Sequence, residues 1–228
     1  MFHLEVFLNP LDLAIGDVPD GALQFMCTPG VAPDAASLRA RYQEVDAVQP
    51  PFLALPTDER ILSQLVWPLR HAKASYVVGN YLGAIALAGT VAEMSAILTF
   101  DLVGFSFNQK LLTAAAQKHF FGRSFARLGQ ERRLEILKAL GVPAEALAEY
   151  EQIRSIRNAH LHVVPIMDEA ALAGDARTVF RAAVTVVART IGPGVKDGKF
   201  VFTPQMARYL DRMGRVTRSE DAAAGEES

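Results

Sequence analysis

From residue 58 onward the chain places apolar and polar positions with the 3.6-residue period of amphipathic helices, and the first 56 residues do not. The helical pattern opens behind "LPTDERIL", where Thr57 or Asp58 can cap a first turn by accepting backbone amide hydrogens. A helix is predicted from Asp58 to about Val78, kinked or divided by Pro68, which has no amide hydrogen and crowds the preceding turn. The next helix, about Tyr81 to Phe100, is apolar on nearly every side and belongs at the centre of the fold. Its Gly83, Ala86, Gly89 and Ala92 leave room for a neighbouring helix to approach. A third helix is predicted after Asn108, and a fourth over about Ser124 to Leu140, ended by Gly141. The fifth opens at Pro143, a residue suited to a first helical turn. Pro165 limits its far end, because the residue before a proline is pushed out of helical geometry. A sixth, about Asp168 to Ile191, stops at "GPG"; "GKFVFTPQ" then reads as a short strand and "QMARYLDRMGRV" as a last helix.

Residues 1 to 56 are punctuated instead by Pro10, Pro19, Pro29, Pro33, Pro50, Pro51 and Pro56. Only "HLEVFL" and "ALQFMC" there have the composition of short strands. The predicted architecture is therefore a mainly α helical bundle over residues 59–192. An N-terminal β/coil arm or cap, 1–58, precedes it, and a small C-terminal extension, 193–218, and an acidic tail, 219–228, follow. That tail, "SEDAAAGEES", carries Glu220, Asp221, Glu226 and Glu227 and no base, a composition that cannot bury a core.

Charge adds one local feature to this picture. The net charge of −2 marks neither a general nucleic-acid binder nor a membrane-surface protein, but without the four tail acids the remainder stands at +2. Between Phe105 and Leu140, seven bases, among them Arg123, Arg127, Arg132 and Arg133, face only Glu131 and Glu135. Such an excess can attract phosphate. "HFFGRSF" sets aromatics beside these bases, with Phe120 and Phe121 read as anchors of a loop in the core rather than as stacking platforms. Cys27 is the only cysteine, which excludes a disulfide framework and fits a cytoplasmic location. Residues 76–92 contain no formal charge, but they include Asn80 and run into Glu93, so a buried helix is expected rather than a membrane span.

The polar chemistry concentrates in "EQIRSIRNAHLHVVP", residues 151–165. On a helical wheel Ile153, Ile156, His160 and Val163 share a core face, which marks His160 as a boundary histidine with a hydrogen-bond partner. Arg154, Asn158 and His162 form a second ridge, and Arg157 lies between the two. Arg157 and His162 point about 140° apart on an ideal helix, so one regular helix does not aim both at a single phosphate. "HLH" lacks a third and fourth ligand at zinc spacing, and no carboxylate cluster suits a two-metal nuclease, so neither metal nor cofactor is expected.

"RNAHLH" resembles the signature of the HEPN superfamily: arginine, a polar neighbour that is often asparagine, three further residues, then histidine. "QIRSI" is similar to the helix that leads into that motif, and "AKASYVVGNYLGAIALAGTVAEMSAIL" (72–98) to the earlier helix pair, where an apolar helix carries a glutamate, here Glu93. The resemblance covers roughly residues 59–192. It implies a HEPN-like bundle that dimerises, with Arg157, Asn158 and His162 as catalytic residues and Arg154, His160 and Glu93 in support. It also implies metal-independent cleavage of RNA to 2′,3′-cyclic phosphate ends, in a defence, toxin–antitoxin or stress role, with an antitoxin or regulatory protein as a further partner. The alternative is a non-catalytic dimerisation or binding module of the same fold. The residue types suit the first reading. An imidazole titrating near neutrality can take or give the proton, and a guanidinium can stabilise charge on phosphate oxygens.

Overall fold

The apolar stretch that follows Asn80 becomes the spine of a helical bundle. The structure, a computed structural model, describes residues 35–46, 58–108, 112–161, 168–192, 194–196 and 199–212. Its elements in chain order are α1 (Ala35–Asp46), α2 (Glu59–Ile61 and Trp67–Val77 around a π-helical turn, Leu62–Val66), α3 (Tyr81–Asn108) and α4 (Ala114–Phe121). A 3₁₀ turn (Phe125–Arg127), α5 (Gln130–Ala139), α6 (Ala144–Leu161) and α7 (Glu169–Ile191) follow. An antiparallel hairpin, β1 (Gly194–Lys196) with β2 (Lys199–Val201), pairs Val195 with Phe200, and residues 204–212 form the last helix, α8. The mainly helical class predicted from the periodicity is the one observed.

Helix α3 packs against α2, α6 and α7, and buries residues on several sides, including Ile85, Ala88, Val91, Ala92, Ala96 and Phe100. By length and composition it would also suffice to cross a membrane over Tyr81–Gly104, and its central place in the bundle accounts for that apolarity. It runs eight residues beyond the predicted end at Phe100, because Leu102 still finds the core and no proline intervenes. Its start is held by Asn80, whose Oδ1 accepts the Gly83 amide at 2.9 Å.

Local signals set most other boundaries. Asp58 caps α2 by accepting from the Arg60 and Ile61 amides, and Asp168 caps α7 through the Ala170 amide. Gly141, at φ +80°, ends α5 in the left-handed region that glycine enters without strain. Pro68 leaves α2 continuous through a local change of helix type. The turn before it widens to π geometry, with the Trp67 amide donating to Leu62 O, which eases the pyrrolidine ring past the preceding turn. The predicted fourth helix begins later than expected: Ser124 and Gly129 adopt extended backbone, so a 3₁₀ turn precedes α5.

Two further observations differ from the sequence reading. Residues 35–46, assigned to a β/coil arm, are helical; Val45 is buried and Glu44 accepts a 2.7 Å hydrogen bond from Tyr76 OH, docking α1 on α2. Phe120 is 68% exposed and is not an anchor; one residue on, Phe121 meets Phe100 edge-on, and Phe125 stacks on Phe100 at 4.1 Å between centroids. The candidate strands "HLEVFL" and "ALQFMC", Cys27 and the acidic tail lie outside the described residues.

Candidate functional site

Where α6 crosses α3, the side chain of Arg157 lies over Gly89. A Cβ at position 89 would stand 2.5 Å from Arg157 Cδ and 3.0 Å from its Nε, so only glycine leaves space for the arginine stem. One helical turn further along α3, Glu93 presents its carboxylate to two guanidinium groups. Arg157 Nη1 donates to Glu93 Oε1 at 2.5 Å, and Arg133 Nη1, from α5, to Glu93 Oε2 at 3.4 Å. Arg133 also donates through Nη2 to the Ala126 carbonyl at 2.9 Å, tying the 3₁₀ turn to the same centre. Arg133 is buried, whereas the Arg157 and Glu93 side chains each keep 26% of their surface exposed. Arg157 Nε is buried with no hydrogen-bond partner among the described residues, so this side chain is positioned by packing and by Glu93.

This triad borders an open cleft of about 410 Å³, lined also by Gly129, Gln130, Glu131, Arg154 and Asn158. Gly129 and Gln130 are the N-terminal end of α5, and glycine supplies no side chain to cap its first amides. Arg154 is held on its own helix by Glu151 in a close ion pair, which lowers the Glu151 pKa and raises that of Arg154 through the shared hydrogen bonds. Glu93 therefore pairs with Arg157 and not with Arg154.

The remaining predicted residues are distributed as follows. Asn158 faces the cleft beside Arg157. His160 turns to the α6–α7 contact, where its Nε2 is 2.7 Å from Asp175 Oδ2 and its side chain is one-tenth exposed. His162 lies outside the described residues. Arg123, Arg127 and Arg132 are exposed, Arg132 in a 2.6 Å ion pair with Glu135. Arg133, expected on that basic surface, is instead an internal cation, because the α5 periodicity puts it on the same face as the buried Ile136 and Leu137 and so toward Glu93. Among the described residues no group of three His, Cys, Asp or Glu side chains is placed to hold a metal ion.

Two members of the centre escaped the sequence reading in part. Gly89 was visible only as a small residue on a helix, although its i, i+4 relation to Glu93 puts both on one face. Nothing in the sequence linked Arg133 to Glu93, forty residues away. No family model, curated protein or solved structure matches this chain.

Proposed function

We propose that this chain is a HEPN-like, cytoplasmic homodimeric domain that cleaves RNA without a metal, using Arg157, Asn158 and His162. The observation that carries the reading is the joint placement of Arg157, Asn158 and Arg154 in one open cleft against the uncapped first turn of α5. Free amides at a helix start and neighbouring guanidinium groups both favour a phosphate there. In this scheme Glu93 and Gly89 hold Arg157 across the cleft floor, and Asn158 orients the scissile phosphate. His162 removes the proton from the 2′-hydroxyl, the 2′-oxygen attacks phosphorus, and the P–O5′ bond breaks. The 5′-oxygen takes a proton from the histidine of the second copy, leaving a 2′,3′-cyclic phosphate and a 5′-hydroxyl. Exposed Arg123, Arg127 and Arg132 extend the path of the RNA backbone, and an antitoxin-like protein restrains the activity.

One observation favours a second reading, a non-catalytic module of the same fold. The Arg157 guanidinium is already engaged by Glu93, which also holds Arg133, so the centre has the form of a structural ion triad. Incubating RNA in EDTA with wild type, Arg157→Ala and His162→Ala, followed by end-group analysis, separates the two. Cyclic-phosphate ends made by wild type and lost in both variants support the nuclease. A folded dimer without turnover, destabilised by Arg157→Ala, supports the module.

A further inference from the structure

A second opening lies toward the start of α6, about 10–17 Å along the helix from Arg157, at Tyr150 and Ala146. Here α3, α6 and α7, with the α5–α6 turn, surround a cavity of about 630 Å³. That lies within the roughly 300–1,000 Å³ usual for small-ligand sites. Its walls are mainly apolar, with Leu102 from α3, Val142 from the turn, Ala146 from α6 and Val186 from α7, and Gln205 from α8 adds one side-chain amide. Leu140, 37% exposed, carries the apolar surface outward to the mouth.

The floor is made by the hydroxyl residues Thr99, Tyr150 and Thr190, with the buried Ser95 hydroxyl linking them from beneath. Thr190 Oγ1 donates to Val186 O at 2.7 Å, Ser95 Oγ lies 2.9 Å from Thr190 Oγ1, and Tyr150 OH donates to Ser95 Oγ at 3.2 Å. Each hydroxyl has one hydrogen to give, so this chain uses those of Thr190, Ser95 and Tyr150 internally. Thr99 is different. It is half-buried, and both its contacts, to Tyr150 OH and to Thr190 Oγ1, are long at 3.3 Å. With the Tyr150 and Thr190 hydrogens used elsewhere, Thr99 is the donor in these weak contacts, and its hydrogen is the one most readily turned to a ligand in the cavity.

At the rim stands Arg189, exposed and with no ion pair among the described residues. A cation in the last turn of a helix is favoured by the helix dipole alone. Beside a hydroxyl-floored apolar cavity it also supplies the counter-charge for an anion with a hydrophobic body. We infer that this cavity binds a small apolar carboxylate, aryl or medium-chain alkyl. Its carboxylate meets Arg189 and the Thr99 hydroxyl, and its body lies against Leu102, Val142, Ala146 and Val186. The inference is independent of the reading of Arg157.

Calorimetric titration of the full chain with 1-naphthoate, 1-naphthalenemethanol and 1-naphthylmethylammonium compares one apolar body carrying three charges. Saturable 1:1 binding of the naphthoate is expected, about tenfold tighter than the alcohol, with the ammonium weakest. Arg189→Gln should reduce the naphthoate to the affinity of the alcohol. Ala146→Phe should abolish binding by filling the cavity, and Thr99→Val should weaken it while circular dichroism and thermal melting confirm that each variant folds. The inference is overturned if folded wild type shows no saturable naphthoate binding, or binds all three probes alike. It is equally overturned if folded Arg189→Gln and Thr99→Val bind the naphthoate as wild type does.

Discussion

Replacing Gly89 by alanine sets two effects of known sign against each other, and Arg157 decides which prevails. In a helix interior alanine is favoured over glycine by about 1 kcal/mol, so with nothing above it the substitution should stabilise α3. In the native protein the new methyl would stand 2.5 Å from Arg157 Cδ. Carbon atoms settle at about 3.5–4.0 Å, so the arginine stem must retreat by about 1 Å or swing away. Either motion breaks its hydrogen bond to Glu93, and these side chains are each 26% exposed, between a surface and a buried pair. Its loss should cost about 1–3 kcal/mol. Gly89→Ala is therefore expected to destabilise wild type by up to about 2 kcal/mol, yet to stabilise the Arg157→Ala protein by about 1 kcal/mol. Urea unfolding of the four proteins, with m-values compared to exclude denatured-state effects, measures the cycle. Equal shifts in both backgrounds, within about 0.5 kcal/mol, would refute the account of Gly89 as the seat of Arg157.

Three further outcomes are expected. Arg133→Met should cost about 2–3 kcal/mol in chemical unfolding, because it strips a partner from Glu93 and from the Ala126 carbonyl; Arg154→Ala, which breaks only a partly exposed pair on one helix, should cost about 0.5 kcal/mol or less. Burial pushes the Asp101 carboxyl up from 3.8 to about 6, in a cavity it shares with Asp58, Arg60 and Tyr209. A folded-state pKa above the unfolded one means stability present below pH 3.8 and lost as pH rises through 6. Asp101→Asn should thus raise the melting stability at pH 7 by about 1 kcal/mol, allowing for partial exposure, and flatten its decline between pH 4 and 6; an unchanged slope would count against the burial. Gly192→Ala should cost about 2–3 kcal/mol and speed amide exchange in the hairpin, since φ is +130° and a Cβ would collide with the Val201 carbonyl oxygen; wild-type exchange there would contradict the turn.

Legibility followed the range of the interaction. Signals acting within a few residues were readable: Asp58 as a candidate cap, Asp168 as a helix start, Gly141 as a stop, and the all-round apolarity of α3 as a mark of the centre. Helix α1 was missed because "AASLRARYQEVD" has few large apolar side chains and derives its place from scattered contacts: Val45 in the core, Glu44 on Tyr76, Arg41 over Tyr81 and Tyr42 under Lys73. Phe120 and Phe121 looked equivalent in composition, but one step of about 100° around α4 sends one to solvent and the other to Phe100.

The Glu93 centre lies between these cases, and it shows what the pattern of a bundle leaves open. Amphipathicity states which face of each helix turns inward, but not how far the helix is rotated or shifted against its neighbour. Helical periodicity accordingly puts Arg154 and Arg157 on adjacent ridges of α6 without saying which of them meets Glu93. The choice is made by crossing geometry, and Gly89 is the element that permits it: a missing side chain one turn from the carboxylate lets the arginine stem lie flat on α3 and reach forward to Glu93. Arg154, one ridge further round, has no such seat and turns back to Glu151. The same triplet that anchors the crossing of α3 and α6 thereby fixes where Asn158 faces, so packing and the candidate chemistry of this cleft depend on a single glycine.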